Sequence, residues 1–60
     1  MQGYIKTRIE NYNIALGKIQ EAIEDCGRNN LWDIVENLEK GKFELIDIIK
    51  EDEELLSKYN

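Results

Sequence analysis

Apolar residues at Leu31, Val35, Leu38, Leu45, Ile49, Leu56 and Tyr59 fall at steps of three, four and seven along the second half of the chain. That spacing lines them up as one seam on an α-helix. A second row, Ile34, Gly41, Ile48 and Leu55, runs beside the seam, and Phe43 and Ile46 widen the apolar surface on its other flank. A helix that packs on one neighbour needs a single apolar stripe, whereas one apolar around most of its girth is covered by several. The second half of this chain therefore requires more partners than one other helix.

The first half supplies one of them. Ile5, Ile9, Tyr12, Leu16, Ile19, Ile23 and Cys26 keep the same three-and-four spacing, which predicts a helix of about six turns. Beside this seam lie Arg8, Ala15 and Ala22, two of them small enough for another helix to come close. Gly17 falls on the opposite, polar side, at a helix-propensity cost of about 1 kcal/mol relative to Ala. The only strong breaker is Cys26-Gly27-Arg28-Asn29-Asn30. Gly27 suits the left-handed residue that ends a helix, Asn30 suits the N-cap of the next, and Asp33 complements the dipole of its first turn.

These signals predict an all-α fold, an antiparallel two-helix hairpin. It forms a single domain over residues 1–60, with a helix over about 4–26, a turn at 27–30 and a helix over about 31–58. Folding the seams together sets Cys26 near Leu31, Leu16 near Lys42 and Ile5 near Asp52. Lys42 and Asp52 interrupt the second seam, so each needs a reason. Lys42 is expected to lay its methylenes on the seam and reach water with its ammonium; Asp52 is within reach of Lys6 or Arg8. The run Glu51-Asp52-Glu53-Glu54 resembles a fresh helix start, but Ile48, Ile49, Leu55 and Leu56 stay in phase across it, and one continuous helix is expected.

A 60-residue chain buries too small a fraction of its surface to be comfortable alone. The single cysteine excludes an intrachain disulfide, and the lack of histidine disfavours a zinc site. Oligomerisation remains, and pairing two hairpins into a homodimeric four-helix bundle is the commonest solution. The self-association surface is expected from Ile34, Gly41, Phe43, Ile46, Ile48, Leu55, Ala15 and Ala22. Two antiparallel helices of equal length that dimerise into four resemble, in plan only, the plasmid-copy-number RNA-binding protein Rop. The basic and aromatic RNA-contacting face of that family has no counterpart on this chain.

The net charge is −5, which disfavours nucleic acid and anionic membranes as partners. The acidity is local: residues 1–27 carry three basic and four acidic side chains, and residues 31–60 carry four and nine. No basic-then-apolar leader and no membrane-length run is present, so a cytoplasmic protein is expected. With one Ser, one Thr, one Cys and no His, no nucleophile and base pair is recognisable. The chain is read as no enzyme, with no cofactor and no metal.

Glu44, Asp47, Glu51 and Glu54 form an outer acidic strip, which reads either as a solvated helix face flanked by Glu36–Lys40 and Glu54–Lys58 pairs or as a docking surface for a basic protein. Trp32 reads as a cap over the bundle end or, with Arg28 and Asn29, as a binding hot spot. Cys26 and Tyr12 read as seam residues.

The expectation that follows is an acidic, homodimeric protein-binding module, regulatory or inhibitory. The richness in Ile, Asn, Lys and Glu, typical of AT-rich genomes, gives its specific version, a phage-encoded inhibitor of a host enzyme or defence system. Two alternatives stand beside it: a nucleotide- or nucleic-acid-binding bundle using Lys6, Arg8, Lys18 and Arg28, and a structural assembly subunit.

Overall fold

The computed structural model describes residues 2–59. Two helices, α1 (Gln2–Arg28) and α2 (Trp32–Ser57), pack side by side. A 27-residue helix is about 40 Å long at its usual rise per residue. The molecule measures 45 × 15 × 11 Å, so it is two helices wide and one helix thick. Each helix has one neighbour and two faces that nothing else in the chain covers.

Hydrogen bonds between the two halves of the chain fix the antiparallel register. Gln2 Nε2 donates to the Tyr59 carbonyl at 3.1 Å, Arg8 meets Asp52, and Lys42 Nζ donates to Gln20 Oε1 at 2.7 Å. These levels match the expected pairings to within about one helical turn. Electrostatics favours the same arrangement, because Lys6 and Arg8 of α1 come alongside the carboxylate run Glu51–Glu54 of α2. α2 passes through that run unbroken, as its phase requires.

The turn departs from expectation in its details. Gly27 does not take the left-handed conformation; α1 continues through it to Arg28, and Asn30 adopts φ 60°. The Leu31 amide donates to the Cys26 carbonyl at 2.9 Å and the Asn30 amide to the Gly27 carbonyl at 3.1 Å. This pair of bonds is a Schellman motif whose left-handed position is filled by asparagine. Asn tolerates that conformation better than other residues carrying a Cβ. With Asn30 so used, the N-cap of α2 moves to Leu31, which makes no side-chain capping bond. Asp33 remains in the first turn to offset the uncapped amides.

Burial is uneven. Ile5, at 1% exposure, is the most completely covered side chain, joined by Val35, Ile49 and, among charged residues, Asp52. Each such aliphatic side chain contributes about 1.5–3 kcal/mol. Of the other seam residues, Ile9, Leu16, Ile19, Ile23, Leu38, Leu45 and Leu56 are only half-buried, and Leu31 and Tyr59 at the ends of the second seam are exposed.

Candidate self-association face and acidic strip

Asp52 is an exception to the apolar seam that the fold accommodates through one partner. Arg8 Nε donates to Asp52 Oδ2 at 2.7 Å and Arg8 Nη2 to Oδ1 at 2.5 Å, the parallel two-bond geometry that suits guanidinium and carboxylate. Asp52 is 6% exposed, while Arg8 keeps part of its side chain in water and stacks over the Tyr4 ring at 5.4 Å. The hydrogen bond to Asp52 raises the Arg8 guanidinium above its ordinary pKa, partly opposed by desolvation. The sign is that of a cation gaining a partner: the contribution is complete below the ordinary arginine value, so Arg8 keeps it across the working pH range. At the second exception, the half-buried Lys42 lies on the seam and its ammonium donates to Gln20 Oε1, a partner beyond the solvent that the sequence suggested.

The two contacts also define the hairpin's two broad faces. An antiparallel helix pair has a pseudo-twofold axis between its members, so equivalent heptad rows of α1 and α2 share one face. Arg8 reaches Asp52 from the row of Ala15 and Ala22, which places that row beside Ile34, Gly41, Ile48 and Leu55 of α2. Gln20 reaches Lys42 from the opposite row, that of Lys6 and Asn13. The first face is apolar from the turn to Leu55. Ile34 and Ile48 remain 46% and 41% exposed, and Ala15, Ala22, Gly41 and Leu55 are half-buried. A Cβ on Gly41 would meet nothing within 4 Å, so no contact among the described residues accounts for that glycine. The same holds for Gly17.

The eight residues expected to associate are therefore divided. Six share the apolar face; Phe43 and Ile46 do not, since each stands about 200° around the helix from its neighbour two positions away at Gly41 or Ile48. Phe43 is 59% exposed. Trp32 stands at the turn end of the single hairpin. It is 61% exposed, touching α1 at Gly27, where its Cζ3 lies 3.8 Å from the position a Cβ would take. Cys26 is half-buried and its thiol is free.

The outer strip is where the sequence placed it. Glu44, Asp47, Glu51 and Glu54 are all exposed, and none forms an ion pair among the described residues, where the pairs are Arg8–Asp52, Arg28 with Glu24 and Asp25, and Glu36–Lys40 at 4.0 Å. The expected Glu54–Lys58 pair is not formed. Of the four cations considered for nucleic acid, Arg8 and Arg28 are committed within the chain, and Lys6 and Lys18 are left. The Tyr4–Arg8 stack and the Gln20–Lys42 bond escaped the sequence reading; helical spacing of Tyr4 and Arg8 at i,i+4 was the available signal for the first.

Among the described residues, no cavity, no group of side chains able to hold a metal and no helix long and apolar enough to cross a membrane is present. The class defined by this geometry is a helical hairpin with one apolar and one largely polar face. No family model, curated protein or solved structure matches the chain.

Proposed function

We propose that this chain acts as a protein-binding helical module, working as a homodimer with no catalytic chemistry of its own. Two hairpins bury their apolar faces against each other in a four-helix bundle and present the outer acidic strip of α2 to a basic protein, in a regulatory or inhibitory role. The observation that carries this reading is the uninterrupted row Ile34, Gly41, Ile48 and Leu55 beside Ala15 and Ala22, which α1 leaves open to water along one face. The broad side of the whole hairpin, 45 Å by 15 Å, is of the order of an ordinary protein interface, about 800 Å² per partner, and the apolar face occupies its length from the turn to Leu55. Four exposed carboxylates that form no ion pair among the described residues supply the electrostatic attraction for a basic partner, which acts chiefly on encounter rate and selectivity.

Sedimentation equilibrium tests the first half: a dimer mass that Ile48→Lys reduces to that of a monomer is expected, and a chain still monomeric at about millimolar concentration, equivalent to barely 4 kcal/mol of association, overturns it. For the second half, Asp47→Lys/Glu54→Lys should keep the dimer and lose the basic partner captured by the wild-type chain. Retention of that partner at undiminished affinity overturns the acidic-strip reading.

A further inference from the structure

Two copies can stack their apolar faces about a closed twofold axis in two ways. With the axis along the helices, both turns lie at the same end and each α2 packs on α1 of the other copy. With the axis across the helices, the turns lie at opposite ends and each α2 packs on the other α2. The face itself is similar in both, so the charged rows at its rims decide between them.

On α2 that rim carries Asn37, Glu44, Glu51 and Lys58; on α1 it carries Tyr4, Asn11, Lys18 and Asp25, every one of them exposed. The level at which Lys42 meets Gln20 within the chain also describes helices stacked between copies in the same-end arrangement. It sets Lys18 opposite Glu44 of the partner subunit, Asn11 opposite Glu51 of the partner subunit and Tyr4 opposite Lys58 of the partner subunit. Each contact joins opposite charges, an amide to a carboxylate or a ring to an ammonium, and symmetry repeats it. The opposite-end arrangement, with the middles of the two hairpins superposed, brings Glu44 close to Glu51 of the partner subunit, a like-charge contact that symmetry also repeats, and leaves Lys18 close to an amide. Acidic α2 against acidic α2 is the costlier choice.

We infer that the apolar face is occupied by a second copy of this chain with its turn at the same end, each α2 lying on the partner's α1 and Lys18 pairing with Glu44 of the partner subunit. This rests on the homodimer proposed above. It draws Glu44 to the rim of the subunit contact and leaves Asp47 and Glu54, on the outermost row, for a third molecule.

Cys26 is the only cysteine, so Cys26→Ala/Asn29→Cys puts a nitroxide label on the exposed turn, and spin-spin distances read the arrangement directly. Labels roughly 10–25 Å apart, one to two helix spacings, are expected; a distribution centred near the 45 Å length of the molecule overturns the inference. A charge-reversal mix is the second measurement and does not depend on the label. Lys18→Glu alone and Glu44→Lys alone should each raise the dimer dissociation constant roughly tenfold at low salt, as expected for two rim pairs made repulsive. Mixing the two variants should restore it, since the mixed dimer regains both pairs. Tighter dimerisation by Glu44→Lys alone, which relieves the Glu44–Glu51 contact of the opposite-end arrangement, overturns the inference while leaving the homodimer intact. A wild-type chain that never dimerises overturns both, and sedimentation of the unlabelled protein separates the two failures.

Discussion

The two ends of the hairpin are held by different physics. At the open end the chain termini are joined through side chains: Ile5 is covered, Arg8 grips buried Asp52, and Gln2 reaches the Tyr59 carbonyl. At the turn end the order resides in the backbone, where the Schellman bonds of Asn30 and Leu31 close α1 while Leu31 and Trp32 stay exposed. A covalent connection already keeps the helices together at the turn, and Val35 is the one buried side chain in the first turn of α2. The open end has no such short connection between the helices, so side-chain contacts must hold it closed against the entropy of separation. The strongest side-chain interactions accordingly lie farthest from the turn.

Substitutions at the two ends should therefore differ in size and kind, measured by urea unfolding at a fixed chain concentration, since association would otherwise shift the apparent stability. The largest effect is expected for Ile5→Ala, about 2–5 kcal/mol of destabilisation, comparable with the whole stability of a chain this small. An effect below that of the turn substitutions would remove the contrast. Next comes the ion pair, where the two partners should not be equivalent. Arg8→Met leaves a buried carboxylate without a cation, whereas Asp52→Leu leaves an arginine that can turn to water and restores an apolar seam residue. The melting temperature should fall clearly for the first and much less, or not at all, for the second. Equal losses would mean that Asp52 is better hydrated than its burial indicates.

At the turn, Asn30→Ala should cost about 1–2 kcal/mol, because a plain Cβ is strained at φ 60°, while Asn30→Gly should be close to neutral. The smallest effects sharpen the comparison between the hairpin's faces. Gly17→Ala and Gly41→Ala should each stabilise the hairpin by up to about 1 kcal/mol, as neither Cβ meets anything in the chain. Gly17 lies away from the apolar face, so its substitution should leave the dimer dissociation constant unchanged; Gly41→Ala should raise it, since the added methyl stands between the two copies.

Both helices, their antiparallel packing and the continuity of α2 through Glu51–Glu54 were legible in the sequence, because heptad spacing fixes which side of a helix is apolar and one breaker leaves one place to turn. The outer acidic strip was legible for the same reason. Of the eight residues expected to associate, six share the open apolar face, and two, Phe43 and Ile46, lie across the helix from it. Apolar character alone does not say on which side of a seam a residue falls relative to the partner helix.

Periodicity, a local property of one chain segment, determined where the helices are and what each seam contains. The tertiary structure decided the rest: which glycine or asparagine becomes left-handed, that Arg8 rather than Lys6 takes Asp52, that Gln20 receives the Lys42 ammonium, and that six apolar residues from two helices form one open face. Those outcomes depend on relative level and rotation of two helices, set by contacts between residues far apart in the chain. No spacing within a single helix encodes them.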